Sequence, residues 1–138
     1  MGYTLTIGNA VVGDMPTKNE VVEGRDGRIE VQIDIETVTL DNAPADGSPT
    51  DHENQRWPSY SAWHDFGQET GLHQLFFNEQ EGLMRDHPGC FMLTPDHLTT
   101  IKSVATRVPE IQRGRYDWLL FWVEWALANC DLPAIKNT

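Results

Sequence analysis

The stretch YDWLLFWVEWALANC, residues Tyr116–Cys130, decides how this chain folds. It contains three of the five tryptophans, and acidic residues interrupt it only at Asp117 and Glu124. These two acids are seven residues apart, so on a helix they fall along one narrow line. A helix that is apolar on its other sides is buried in a core, and this one is too short to cross a bilayer. The stretch is therefore predicted to be the central helix of a small globular core.

Capping residues mark further helices upstream of this stretch. Ser59 is a suitable N-cap and Gly71 a suitable C-terminal ending for one helix. Thr94 followed by Pro95 is a strong start for another. The spacing from Asn78 to Glu81 is that of a capping box, which predicts a short helix as far as Met84.

Alternating apolar residues near the N-terminus predict strands. Tyr3, Leu5 and Ile7 alternate with threonines, and a Gly24–Gly27 turn in Val21–Ile35 predicts a β-hairpin. The alternation slips after Ile35, which predicts a bulge or strand end near Glu36 and Thr37. Strands followed by helices indicate an α+β fold. We expect residues 1–138 to form one domain, in which a small antiparallel sheet packs on a layer of about four helices.

Residues 41–56, DNAPADGSPTDHENQR, show no apolar period. So long a stretch is unusual for a connection between elements. We predict a mobile acidic surface loop, or a segment that becomes ordered on meeting a partner.

The net charge of −11 restricts the partners of this chain. Direct binding to nucleic acid is not expected, because that contact depends on Lys and Arg neutralising phosphates. An acidic surface instead attracts basic partners. The N-terminus has no secretory signal pattern and no segment is long and apolar enough to span a membrane, so a cytoplasmic location is expected. The candidate partner-binding residues are Glu30, Asp34, Glu36 and Asp51.

A second group of residues combines aromatic rings with cationic groups. Such groups can stack on a base and clamp a phosphate of a small nucleotide. The alternative is that the aromatic residues are core and the arginines are solvated. The candidate ligand-binding residues are Trp57, Tyr60, Trp63, His64, Arg113 and Arg115.

Four of the five histidines are next to an aspartate, which raises the question of a metal site or an acid–base pair. Neighbours in sequence do not face each other on a helix, so adjacency carries no geometric information. No spacing typical of metal ligands and no nucleophile motif is present, so neither a metal, another cofactor nor a catalytic residue is assigned. The pairs are Asp51-His52, His64-Asp65, Asp86-His87 and Asp96-His97.

Several stretches resemble small uncharacterised proteins encoded by tailed bacteriophages. They are MGYTLTIGNA at the N-terminus, WPSYSAWHDFGQETGLHQLFF at residues 57–77, HPGC at 87–90 and WALANCDLPAIKNT at the C-terminus. The resemblance implies expression in a bacterial cytoplasm during infection, and it supplies no activity, ligand or site residue.

Three functional hypotheses follow from these patterns. The first is a non-enzymatic protein that binds a host protein or complex, such as a defence component, through its acidic surface and the 41–56 segment. The second is a module that binds or sequesters a small nucleotide-like ligand. The third is a hydrolase that depends on His and Asp. A homo-oligomer is compatible with all three.

Overall fold

The sheet is antiparallel and is built around its first strand. The computed structural model describes residues 2–12 and 33–138. The strands are β1 (Leu5–Val12), β2 (Ile33–Ile35), β3 (Gln55–Arg56), β4 (Gly89–Met92) and β5 (Pro133–Asn137). The main order is β2-β1-β5-β4, and β3 pairs with the start of β1. Ile7 lies opposite Ile135, and Ala10 opposite Ile35, which fixes the register of the central strand.

Four α-helices accompany the sheet in the described part of the chain, and two of them begin where the sequence predicts. They are α1 (Tyr60–Thr70), α2 (His73–Phe77), α3 (Pro95–Ser103) and α4 (Arg113–Asn129). The Ser59 hydroxyl accepts a hydrogen bond from the Ala62 N–H at 3.1 Å at the start of α1. Gly71 ends that helix with φ of 84°, a left-handed conformation that favours glycine. Thr94 and His97 form a capping box before Pro95 at the start of α3.

The helix α4 packs across β1 and β5 and forms the centre of the core. Trp118, Leu119 and Trp122 are at most 2% exposed and belong to the same apolar cluster as Leu5 and Ile135. The predicted central helix and the α+β class are therefore confirmed.

The two acids of α4 lie on its solvent side, as their spacing predicts. Asp117 pairs with Arg113 at 3.5 Å, and Glu124 pairs with Lys102 at 3.7 Å. Both carboxylates keep nearly half of their surface in water, so they place no unpaired charge in the core.

Two features of the chain differ from the sequence-based expectation. The predicted helix at 78–84 is wrong, because the Asn78 carboxamide oxygen accepts from the N–H groups of Gln80 and Glu81 and holds a turn instead. The strands β4 and β5 were not predicted. In β5, Pro133 is read as the residue that stops the preceding helix, but it is also the first residue of a strand in which Ala134 and Ile135 are buried. The predicted hairpin at 21–35 falls almost entirely outside the described residues, and its last three residues form β2, which ends at Ile35.

Polar contacts tie the 41–56 segment to the sheet. The Asn54 side chain is fully buried, donates to the carbonyls of Ile7 at 2.8 Å and Glu36 at 2.9 Å, and accepts from the Val38 N–H at 2.7 Å. The Trp118 indole donates to the Glu53 carbonyl at 3.0 Å, which links the segment to α4. The mobility expected for this segment stays a prediction.

Candidate binding site around Trp57

Trp57 presents an exposed indole on an ordered backbone. Trp57 is 58% exposed, although the preceding residue, Arg56, pairs with Leu5 in the sheet. On the other side, the Pro58 carbonyl accepts from the Tyr3 N–H at 2.9 Å. The indole N–H donates to the Gln55 side chain at 3.0 Å. Backbone hydrogen bonds on both sides of Trp57 therefore fix the position from which its ring faces the solvent.

A cleft of about 210 Å³ lies beside this indole. Two arginines face it, and the 41–56 segment supplies part of its wall. We call this surface the Trp57 face; it consists of Ser48, Pro49, Thr50, Arg56, Trp57, Pro58 and Arg115.

The two arginines of the Trp57 face differ in their partners. Arg56 forms an ion pair with Asp46, so its charge is neutralised within the chain. Arg115 donates instead to the Gln112 carboxamide oxygen at 3.2 Å. The Gln112 amide group in turn donates to the Glu69 carboxylate at 3.0 Å, and Gln112 is only 4% exposed. A buried amide therefore orients the guanidinium of Arg115.

The structure brings Trp57 and Arg115 together and places the other candidate ligand residues elsewhere. Trp63 is fully buried and stacks on Phe66, with ring centroids 4.6 Å apart. Arg113 lies over the Tyr116 ring at 5.2 Å as well as pairing with Asp117.

Tyr60 and His64 belong to neighbouring aromatic contacts on α1. His64 is exposed and stacks on Phe77, with centroids 4.0 Å apart, and Tyr60 lies 4.4 Å from the Tyr3 ring. Neither residue lines the cleft of the Trp57 face.

Of the candidate partner-binding acids that the structure describes, Asp34 and Glu36 lie in or next to β2, and Asp51 lies in the 41–56 segment. Glu30 is outside the described residues. Asp34 pairs with Lys136 at 2.9 Å, and Glu36 is exposed. Asp51 accepts hydrogen bonds from the N–H groups of residues 46, 47 and 48 at 2.9–3.2 Å. These bonds, led by the one from Asp46, lower the pKa of the Asp51 carboxyl and give it a structural role in the loop.

The side chains of Tyr60, His87 and Asn137 form a chain of hydrogen bonds that the sequence did not predict. Asn137 is fully buried and donates to the Asp86 carbonyl at 3.0 Å, so its oxygen is free to accept from His87 Nδ1 at 2.7 Å. The other imidazole nitrogen, Nε2, then accepts the Tyr60 hydroxyl at 3.0 Å. Only the pairing of β5 with β4 brings Asn137 to Gly89 and this turn, so no local sequence signal could have found it.

The His-Asp neighbours do not form acid–base pairs. No hydrogen bond joins the two side chains of any of the four pairs, all of which the structure describes. His97 caps α3 through Thr94, and burial lowers its pKa. Within residues 2–12 and 33–138, no three His, Cys, Asp or Glu side chains are placed to hold a metal ion.

The two cysteines, Cys90 and Cys130, are unpaired thiols. Both side chains are partly buried, and this burial raises the pKa of each thiol. A raised pKa reduces the population of the thiolate, which is the nucleophilic form.

Comparison of the chain with protein-family models, curated proteins and solved structures finds no significant match. None of the helices in the described ranges combines the length and the apolar character that a membrane span requires.

Proposed function

We propose that this chain is a non-enzymatic binding protein that docks a host protein on the Trp57 face. The exposed indole of Trp57 carries this proposal. Tryptophan and arginine are the residue types that most often dominate the energy of protein interfaces, and Trp57 and Arg115 line the same cleft.

The backbone around Trp57 supports the same conclusion. Pairing with β1 and the cap of α1 fix the chain on both sides of the indole. A surface that is ordered before binding loses less conformational entropy when a partner arrives. The neighbouring 41–56 segment extends the contact area and contributes Pro49 and Ser48 to the cleft.

The charge of the chain narrows the choice of partner. A net charge of −11 accelerates association with a basic protein and opposes association with an acidic one. We propose that the encounter takes place in the cytoplasm of an infected bacterium, as the resemblance of the sequence to tailed-phage proteins implies, and that a component of host defence is one such target.

The test begins with capture of host proteins from bacterial lysate by the native protein and by Trp57→Ala. The partner is then purified, and its dissociation constant is measured at several salt concentrations. We expect Trp57→Ala to weaken binding roughly thirtyfold, as loss of about 2 kcal/mol at a hot spot requires. Affinity should also fall as salt rises, because the partner is basic.

Met92→Ala is the matched control, because Met92 is 48% exposed and lies on β4 at the far edge of the sheet from β3. This variant should bind like the native protein. Equal affinity of the native protein and Trp57→Ala for the purified partner would contradict the proposal.

A second candidate function is binding of a small nucleotide-like ligand, favoured by the shared cleft of Trp57 and Arg115. An indole stacks on a base, and a guanidinium pairs with a phosphate. Native mass spectrometry of protein purified from lysate tests this function. A retained mass of nucleotide size that is lost on denaturation, and absent from Trp57→Ala, would support it; a partner complex without such a mass would favour the first function.

A further inference from the structure

We propose that Arg115 is the receptor for a single carboxylate carried by the partner's docking segment, beside a flat apolar group that stacks on Trp57. This inference rests on the proposed function and names the chemistry of the segment that binds. The partner as a whole can still be basic, because the contact with Arg115 needs only one acidic group in its docking segment.

The first argument is the charge of Arg115 within the described residues. That part of the chain contains seven lysines and arginines, and five of them form ion pairs with acids. Of the other two, Arg107 donates to the Thr70 carbonyl near the end of α1. Arg115 has an amide oxygen as its hydrogen-bond acceptor. Among the described residues, no ion pair with a carboxylate is formed by Arg115, so its guanidinium is the cation to which a carboxylate of the partner can bind.

The second argument is that the buried side chain of Gln112 holds Arg115 in position. Gln112 is 4% exposed and bridges the Glu69 carboxylate and the Arg115 guanidinium. The bond to Glu69 fixes which end of the amide is the donor, so the carboxamide oxygen points to Arg115. Such an orienting contact reduces the entropy lost when the guanidinium binds an anion.

The position of Arg115 in α4 adds to this argument. The first turn of α4 contains two arginines and no acid. This is the reverse of the usual arrangement, because the positive end of a helix dipole favours acids. Arg115 therefore adds a positive charge at the positive end of α4, and its side chain lines the cleft.

The volume of the cleft beside Arg115 and the net charge of the chain favour a carboxylate over a nucleotide phosphate. This cleft measures about 210 Å³, whereas sites for drug-sized ligands usually exceed roughly 300 Å³; a separate hollow of about 420 Å³ also borders Trp57, but Arg115 does not line it. One side chain or a terminal residue of a peptide fits the cleft beside Arg115. A net charge of −11 also repels a multiply charged phosphate more strongly than one carboxylate.

The experiment is a heteronuclear NMR titration of the native protein with benzoate, benzamide, phenyl phosphate and AMP. Benzoate supplies a flat ring and one carboxylate, and benzamide keeps the shape without the charge. We expect benzoate to shift the Trp57 indole N–H and the Arg115 Nε–H resonances, with little effect of benzamide. Absence of these shifts with benzoate would overturn the proposal. Tighter binding of AMP or phenyl phosphate than of benzoate would also overturn it, in favour of the nucleotide-like ligand.

Variants then test the assignment to Arg115. Arg115→Met should weaken benzoate binding roughly tenfold or more, as loss of a charge-assisted hydrogen bond predicts. Arg115→Lys keeps the charge without the planar fork and should bind with intermediate affinity, which also covers the case in which Arg115→Met is unfolded. Arg85→Met is the control, because Arg85 pairs with Asp86 and does not line the cleft. Unchanged benzoate affinity in Arg115→Lys and Arg115→Met would reject the assignment.

The positioning role of Gln112 has its own readout. Gln112→Met should change the Arg115 Nε–H resonance before any ligand is added and weaken benzoate binding, while Arg115 itself is retained. An unchanged resonance and unchanged affinity would contradict this role.

The purified partner separates this inference from the proposed function. If Trp57→Ala loses partner binding while Arg115→Met binds fully, the proposed carboxylate contact is wrong and the proposed docking function still stands. Full binding in Trp57→Ala would remove the docking function itself.

Discussion

The helix α4 and the 41–56 segment are joined to the rest of the molecule by different kinds of contact. In α4, apolar side chains such as Trp118 and Trp122 are buried against the sheet. In the 41–56 segment, the fully buried Asn54 and the loop acid Asp51 hold the backbone through specific hydrogen bonds.

This difference explains why the burial of α4 could be predicted from the sequence and the hydrogen-bond partners of the 41–56 segment could not. Burial of apolar area is non-directional, so a run of tryptophans and leucines indicates a core whatever it packs against. A hydrogen bond contributes only when donor and acceptor meet at the right distance and angle. The sequence of a polar segment therefore does not show which of its side chains will form a buried hydrogen bond.

The largest expected effect lies in α4. Trp122 is fully buried, so Trp122→Ala removes a large apolar side chain and leaves a cavity. We expect a loss of roughly 3–5 kcal/mol in the free energy of unfolding, measured by urea denaturation. Ile111→Ala is the control, because Ile111 is 76% exposed and its truncation should change stability by less than about 0.5 kcal/mol. Similar losses in the two variants would mean that α4 is not the centre of the core.

The next effect lies in the 41–56 segment. Asn54→Ala removes three hydrogen bonds and leaves the buried Ile7 carbonyl and the partly buried Val38 N–H without their side-chain partner. We expect a loss of roughly 2–4 kcal/mol in the free energy of unfolding. The exposed Asn42 supplies the control variant, Asn42→Ala, which should be close to native. If Asn54→Ala were as stable as Asn42→Ala, the Asn54 contacts would make no measurable contribution to the stability of the fold.

A smaller effect is expected for a single polar contact within the apolar region. Tyr116 is fully buried and its hydroxyl donates to the Ile101 carbonyl at 2.7 Å. Tyr116→Phe keeps the ring and should cost about 1–2 kcal/mol near neutral pH.

Tyr116 also gives a pH dependence with a definite sign. Burial raises the pKa of Tyr116 above its ordinary value of 10.0. The native state therefore keeps this proton longer than the unfolded state, and stability falls as pH rises above 10.0. Denaturation curves at several alkaline pH values should show a smaller fall in Tyr116→Phe. An equal fall in both proteins would assign the alkaline sensitivity to other groups.

The smallest effect concerns Asp51 at the tip of the 41–56 segment. Because its pKa is lowered in the folded protein, its contribution to stability is present above 3.8 and disappears as pH falls through the lower folded value. Asp51→Asn should make this part of the pH dependence flatter. It should also accelerate hydrogen exchange of the amides of residues 46–48 at neutral pH, since the amide accepts more weakly than the carboxylate.

Asp41→Asn is the control for this exchange measurement, because Asp41 is exposed and does not accept these three bonds. The same data test the mobility predicted for the segment. Fast exchange of the Asn54 amide in the native protein would support that mobility, whereas protection would show that the buried end of the segment is held.

In the candidate site, too, some features could be predicted from the sequence, whereas others depend on contacts between residues far apart in the chain. The sequence grouped Trp57 with Arg115, and both line one cleft in the structure. It could not show that Trp63 is fully buried on the same helix as the exposed His64. Nor could it show that Gln112 orients Arg115, because this depends on contact with Glu69, which is distant in sequence.

The sequence alone determined the α+β class, the central helix and the helix starts at Ser59 and Thr94. These follow from apolar periodicity and capping, which act over a few neighbouring residues. Tertiary structure alone decided the pairing of the C-terminal strand β5 between β1 and β4, and with it the burial of Asn137. It also decided which tryptophan remains in water. The physical reason is that strand pairing and burial depend on residues far apart in the chain, whose meeting is fixed only when the whole core has formed.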